Sequence, residues 1–242
     1  MASISLFFFF FFYSWVCDDA YITFRTSNNL THGHGPVYNL SERVQTYTNP
    51  LWMLVFSGVY FFTGEAYFTA IGLSLVILSG TILVLHRHIF RGSWAGVMVV
   101  FLLGWSVSFV EYSTSGLENA LNGLLLTLFY SVFWNVEFGR RKVLMLTLIA
   151  AFGMVSRMDT ALLYLPALFT LAWQMRTGRL WRWLAIGFLP FLLWEAFAIV
   201  YYGFPFPNTA YAKLNAGISQ AEYWQQGYWY YLNCLQHDPM TL

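Results

Sequence analysis

SLFFFFFFYSWV at residues 5–16 runs straight into CDDAYITFRTSNNLTHGHGPVYNLSERVQTYTN at residues 17–49, so an apolar run is followed at once by a polar segment that opens on two carboxylates, Asp18 and Asp19. The first string suits a short helix in hydrocarbon; the second does not belong there. An ionised carboxylate at the edge of hydrocarbon is costly unless it is paired or hydrated, so acids at this boundary are candidates for chemistry. The junction predicts a membrane helix leading into a functional loop.

Composition extends that reading to the whole chain: 58% of its 242 residues are hydrophobic, 10% are charged, and the mean hydropathy is +0.55. Soluble domains carry roughly 25% charged residues. A net charge of +1, with no basic stripe, excludes a nucleic-acid partner. Cys17 and Cys234 share no short spacing, which indicates neither a metal knuckle nor a disulfide framework. The N-terminus lacks a basic region and a small-residue cleavage site, so it is expected to be a retained first span rather than a signal peptide.

Further apolar runs lie at about 66–85, 94–110, 117–136, 143–156, 160–175 and 183–201, which with the first gives an all-α polytopic bundle of about seven spans. The run LWMLVFSGVYFF, 51–62, is shorter and is closed by Thr63, Gly64 and Glu65, so it is expected to be re-entrant or half-spanning. Topology agrees. The connectors HRHIFR (86–91), GRRK (139–142) and RTGRLWR (176–182) hold eight of the twelve Lys and Arg residues, and alternation puts all three in the cytoplasm only if 51–62 does not cross.

The same alternation sends residues 17–49, EYSTSGLEN (111–119), SRMDT (156–160) and YYGFPFPNTAYAKLNAG (201–217) to the opposite face. Acids and bases therefore converge on one side, where an external active site would be built. A pump or channel would distribute ionisable groups through the depth of its spans, and only Glu195 fits that pattern.

DDAYITFR (18–25), GHGPVYN (33–39), SERVQTYTNPLW (41–52), STSGLENAL (113–121), SRMDTALLYLP (156–166) and YYGFPFPNTAYAK (201–213) follow one another in an order that resembles the N-terminal half of the GT-C membrane glycosyltransferases. The similarity is to the bacterial branch that includes terminal arabinofuranosyltransferases, and it spans about residues 14–217. It implies a multi-pass protein of the bacterial cytoplasmic membrane with its active site facing the exterior. The implied reaction moves a sugar from a polyprenyl-phosphate donor to a glycan or lipid acceptor, with inversion and no nucleotide sugar. The resemblance also assigns the essential carboxylate to the start of the first external loop, which here is Asp18 or Asp19. A divalent cation is compatible with it and not required by it.

The chemistry asks for such a group independently, because an acceptor hydroxyl is a weak nucleophile and a carboxylate within ~3 Å can take its proton. Successive residues on a helix point about 100° apart, so one aspartate is expected to be the base and the other a positioning group, with Asp19 favoured as base. The structural alternative is that the pair caps the helix AYITFRTSNNL. The lipid-phosphate leaving group needs cations: Arg157 and Lys213 first, Arg25 and Arg43 in reserve, each with snorkelling at the interface as its alternative use.

Asp159 is expected to pair with Arg157 or to hold an acceptor hydroxyl. Glu118 has a sufficient structural role opposing a helix dipole, with a sugar contact as the alternative. His32 and His34 could ligate a metal with the aspartates, although Gly33 and Gly35 suggest a simple turn. Asn208 lies in PFPNTAYAK, an extended loop able to close over a donor. Residues 1–217 read as the catalytic module and the aromatic-rich 218–242 as the start of further structure. Two other classes stay open: a lipid-linked-sugar flippase or transporter, and a non-catalytic membrane scaffold.

Overall fold

In the computed structural model, which describes residues 10–174, 180–214 and 217–239, every regular element among those residues is helical. The helices are α1 (Ala20–Thr31), α2 (Pro50–Thr63), α3 (Tyr67–Val84), α4 (Trp94–Leu103), α5 (Val107–Ser113), α6 (Asn119–Asn135), α7 (Arg140–Ser156), α8 (Ala161–Gln174), α9 (Trp181–Gly187), α10 (Leu189–Tyr202), α11 (Asn208–Leu214) and α12 (Gln220–His237). Local chemistry sets their ends. Pro50 opens α2, where its missing N–H is not needed, and Gly64 closes it at φ 65°, a conformation that suits glycine. Both carboxylate oxygens of Glu65 accept bonds from Tyr67 N and Phe68 N at 2.8 Å, satisfying the free donors at the start of α3.

Helix α7 is the centre of the bundle, packing against α2, α6, α8, α9 and α10. Its sequence allows this through small residues: Ala150 and Ala151 are fully buried, and a Cβ on Gly153 would strike the ring of Tyr164. Within hydrocarbon the lipid is as apolar as the helices, so close packing and interhelical hydrogen bonds hold such elements together. Helices α1 and α2 run side by side, with Phe24 stacked on Phe56 at 4.8 Å and Tyr60 Oη donating to Asn28 Oδ1 at 2.9 Å.

Two runs expected as single spans are broken. The stretch 94–110 divides into α4 and α5, bent by 78°, because Gly104 ends the first helix and the Ser106 hydroxyl caps the second by accepting from Phe109 N at 3.1 Å. The stretch 183–201 is bent by 49° between α9 and α10, where Pro190 starts the second helix and a Cβ on Gly187 would collide with Thr147 of α7. Among the described residues one unbroken helix, α3 continued by the π-helical turn Leu85–Ile89, is long and apolar enough to cross a bilayer, and each bent pair qualifies only if counted as one broken span. At 1.5 Å per residue α6 and α7 each extend about 26 Å and α2 about 21 Å, against ~30 Å of hydrocarbon.

The charged connectors sort to the two ends. Asn135 Nδ2 donates to His88 O at 2.9 Å, which brings HRHIFR beside GRRK, and Leu180, Trp183 and Leu184 pack near Val143 and Leu146 at the same end of α7. The segments 17–49, 111–119, 156–160 and 201–210 meet at the other end.

Candidate active site

The start of α1 is fixed from beneath by the STSG turn. Cys17 N donates to Ser115 O at 3.0 Å, and Trp52 Nε1 donates to Gly116 O at 2.9 Å. Gly116 has φ +80° and a Cβ there would lie 2.9 Å from the Cβ of buried Ala20, so only glycine lets the turn press this closely on the helix. Asp18 and Asp19 are both exposed at this helix start. Asp18 Oδ1 accepts from Asp19 N at 3.0 Å, while the Asp19 side chain makes no capping bond. Asp19 is thus spared the local hydrogen bond that would make it a helix cap.

From α1 a chain of polar contacts runs through the buried interior. Thr23 Oγ1 donates to Asn49 Oδ1 at 3.2 Å, and Asn49 Nδ2 donates to Glu118 Oε2 at 2.7 Å. Arg157 Nη1 donates to Glu118 Oε1 at 3.0 Å, and its Nε donates to both oxygens of Asp159 at 3.0 Å. Glu118 is 2% exposed, so its ionised form requires these partners. Burial alone would lower the Arg157 guanidinium, but the bonds it donates to Asp159 and Glu118, with their charges, outweigh it and raise its pKa above the ordinary value. The arginine is a permanent cation.

Asp19, Asn49, Glu118, Arg157 and Asp159 line one cavity of about 540 Å³, with Gln45, Tyr47, Trp194, Glu195 and the segment Pro205–Pro207 as further wall. The wall from the first loop is strapped to α10. Tyr47 Oη and Tyr202 Oη are 2.8 Å apart, Tyr202 Oη donates to Pro36 O at 2.7 Å, and Asn208 N donates to Gln45 O at 3.0 Å. Burial, and then the neighbouring Tyr202, push the Tyr47 phenol well above its usual range, so it serves as a neutral hydroxyl.

Several residues read from the sequence lie elsewhere. Asp18 is next to the cavity and not in its wall. Arg25 stacks over Tyr38 at 4.3 Å and bonds to Asn39, and Arg43 lies over Tyr201 at 5.0 Å; neither lines the cavity. His32 Nδ1 is 2.8 Å from Asn28 O and His34 N donates to Asn29 O at 2.9 Å, contacts of a turn. Among the described residues no group of three or more His, Cys, Asp or Glu is placed to hold a metal ion. Asn208 contributes through its backbone, while Pro207 and Thr209 beside it line the cavity. The side chain of Lys213 lies outside the described residues. Conversely, Thr23, Gln45, Tyr47, Asn49 and Trp194 were not singled out from sequence; of these only Asn49, immediately before the helix-opening Pro50, carried a local signal.

A helical, membrane-type bundle with a carboxylate-lined cavity at one end, holding one fixed arginine and aromatic wall residues, is the class of protein defined by fold and site. Two curated relatives make it more specific. A terminal β-(1→2)-arabinofuranosyltransferase of Mycobacterium tuberculosis is 30% identical over an alignment of 242 positions, covering 90% of this chain and 37% of the relative. A protein with the same name from Corynebacterium glutamicum is 43% identical over 51 residues, which are 21% of this chain and 7% of that one. The chain thus spans just over a third of the length of the first. No family model matches, and no solved structure matches. The similarity read from the motifs is found again in these relatives: over 90% of its length the chain is similar to a protein named as a terminal arabinofuranosyltransferase, a glycosyltransferase.

Proposed function

We propose that this chain is the catalytic membrane module of a glycosyltransferase that moves a sugar, in the relatives an arabinofuranosyl group, from a polyprenyl-phosphate donor to a glycan or glycolipid acceptor. In this reading about seven spans and the half-spanning α2 sit in a bacterial cytoplasmic membrane, with the cavity facing the exterior and the basic connectors inside. Residues 1–217 form the module. The single observation that carries the proposal is that Asp19 opens onto the same cavity as Arg157. The Asp19 carboxylate takes the proton of the attacking hydroxyl as the bond to the anomeric carbon forms on the face opposite the phosphate, which inverts that centre. Arg157, held by Glu118 and Asp159, meets the charge developing on the departing phosphate, joined by Lys213 from α11. Two acids already share Arg157, so a second cation on the phosphate, for which Lys213 is the candidate, fits the charge balance of this wall. Arg25 and Arg43 are reserve cations that would have to leave Tyr38 and Tyr201.

A transporter would use ionisable groups spread through the depth of the spans. Glu195, the candidate for that role, is instead about 10 Å along α10 from Tyr202 and lines the cavity of Asp19, which supports the transferase. The test is transfer in membranes from a panel of radiolabelled polyprenyl-phosphate sugars. Asp19→Asn is expected to lower the rate by about 10²- to 10⁴-fold, the usual worth of a general base, with Asp18→Asn affected less. Normal rates from both single variants would remove the assignment.

A further inference from the structure

Glu195 is the only charged residue of α10, and the helix around it is apolar. It is half-buried, lines the cavity beside Trp194, and makes no hydrogen bond or ion pair with the described residues. Glu118 and Asp159, in the same wall, are both matched by Arg157. An unmatched carboxylate part-way along an apolar helix is costly unless solvent or a ligand meets it. A second observation concerns the same cavity. Gln45 is 3% exposed and its Oε1 has no partner among the described residues, nor does Thr209 Oγ1; both residues belong to the cavity wall. Buried polar atoms of this kind are normally satisfied, so the wall is built for a polar occupant.

The donor types say which occupant. A carboxylate and an amide oxygen only accept hydrogen bonds, and a phosphate only accepts as well, so a phosphate would be repelled by Glu195 and would find no donor at Gln45 Oε1. Sugar hydroxyls donate to both. The C–H face of a sugar ring is apolar and fits an aromatic surface, which Trp194 supplies with its ring 6.4 Å from that of Tyr47. We infer that Trp194, Glu195 and Gln45 form the subsite for the neutral acceptor sugar, with Glu195 accepting hydrogen bonds from its hydroxyls. The Arg157 side of the cavity is left to the donor phosphate. The assignment to the acceptor rests on the transferase reading; the assignment to a sugar does not.

The probe is an octyl arabinofuranoside, used as acceptor in the transfer assay and as ligand in calorimetry on the full protein. Glu195→Gln is expected to raise the acceptor KM by about ten- to hundredfold, the worth of one hydrogen bond to a charged group, with donor KM and kcat close to wild type. Trp194→Phe, which retains an aromatic face, should shift acceptor KM less than Trp194→Ala. Calorimetry should show the same loss of affinity without donor present. Unchanged acceptor KM in Glu195→Gln, or a rise in donor KM instead, would overturn the subsite. If wild-type protein transfers nothing but binds the glycoside in a Glu195-dependent way, the transferase reading falls while the sugar subsite stands.

Discussion

Glu118 Oε1 and Oε2 each accept one hydrogen bond, from Arg157 Nη1 at 3.0 Å and from Asn49 Nδ2 at 2.7 Å. Glutamine has nearly the same shape but only one accepting end. In Glu118→Gln one of the two donors must face an NH2 group, in a site 2% exposed. The expected loss is roughly 1–3 kcal/mol for the unsatisfied pair, with little added for the lost charge because Arg157 is half-exposed and screened. Thermal unfolding in detergent reads the stability, and donor KM reads the consequence for Arg157; a variant as stable as wild type would show that the buried network is dispensable. From the sequence, Asp19, Glu118, Arg157 and Asp159 stood out because charge is rare in this chain, and the fold brings them to one cavity. Asn49, Gln45 and Tyr47 did not stand out, because an uncharged polar residue in a polar loop looks like any other until its partners across 69 or 155 residues are known.

At the scale of elements, the break between α9 and α10 aims Trp194 and Glu195 at the cavity, and it depends on one close contact. The hydrogen on Gly187 allows the helix to lie against Thr147 of α7, and a methyl there would overlap the threonine side chain. Gly187→Ala is therefore expected to destabilise by about 1–3 kcal/mol, the range for overpacking a tight interface. Thr147→Ala frees that space, so the double variant should regain part of the loss, and a double-mutant cycle on unfolding temperatures measures the coupling. Additive effects would mean that the two residues do not meet. Hydropathy located these helices but not their bends. A run such as 183–201 reads as continuous because the feature that breaks it is a neighbour's side chain together with Pro190, and only the proline is local. The run 94–110 hides its bend for a similar reason: Gly104 and Ser106 are tolerated within helices and act as stop and cap only in context.

For the whole molecule, the two ends defined by charge carry a prediction about sidedness. The connectors bearing His88, Arg140, Arg141 and Lys142 gather at one end, and the loop bearing Ser41 lies with the cavity at the other. The positive-inside rule predicts that the first end is cytoplasmic, because Lys- and Arg-rich short loops resist translocation. Single cysteines at exposed positions can test this. In a Cys234→Ser background, Ser41→Cys should react with a membrane-impermeant maleimide in intact cells, and His88→Cys should react only after the cells are opened. The native Cys17 gives little background. It is 8% exposed, and burial, the largest influence, raises its thiol above the ordinary pKa; a backbone bond with Ala20 opposes it and the charges of Asp19 and Asp18 add to it. A raised pKa leaves less thiolate at neutral pH, and thiolate is the reactive form. Labelling of position 88 from outside, or of position 41 only after lysis, would invert the molecule and place Asp19 in the cytosol. An externally acting lipid-phosphate-sugar transferase could not work in that orientation, even with every contact around Glu118 and Arg157 intact.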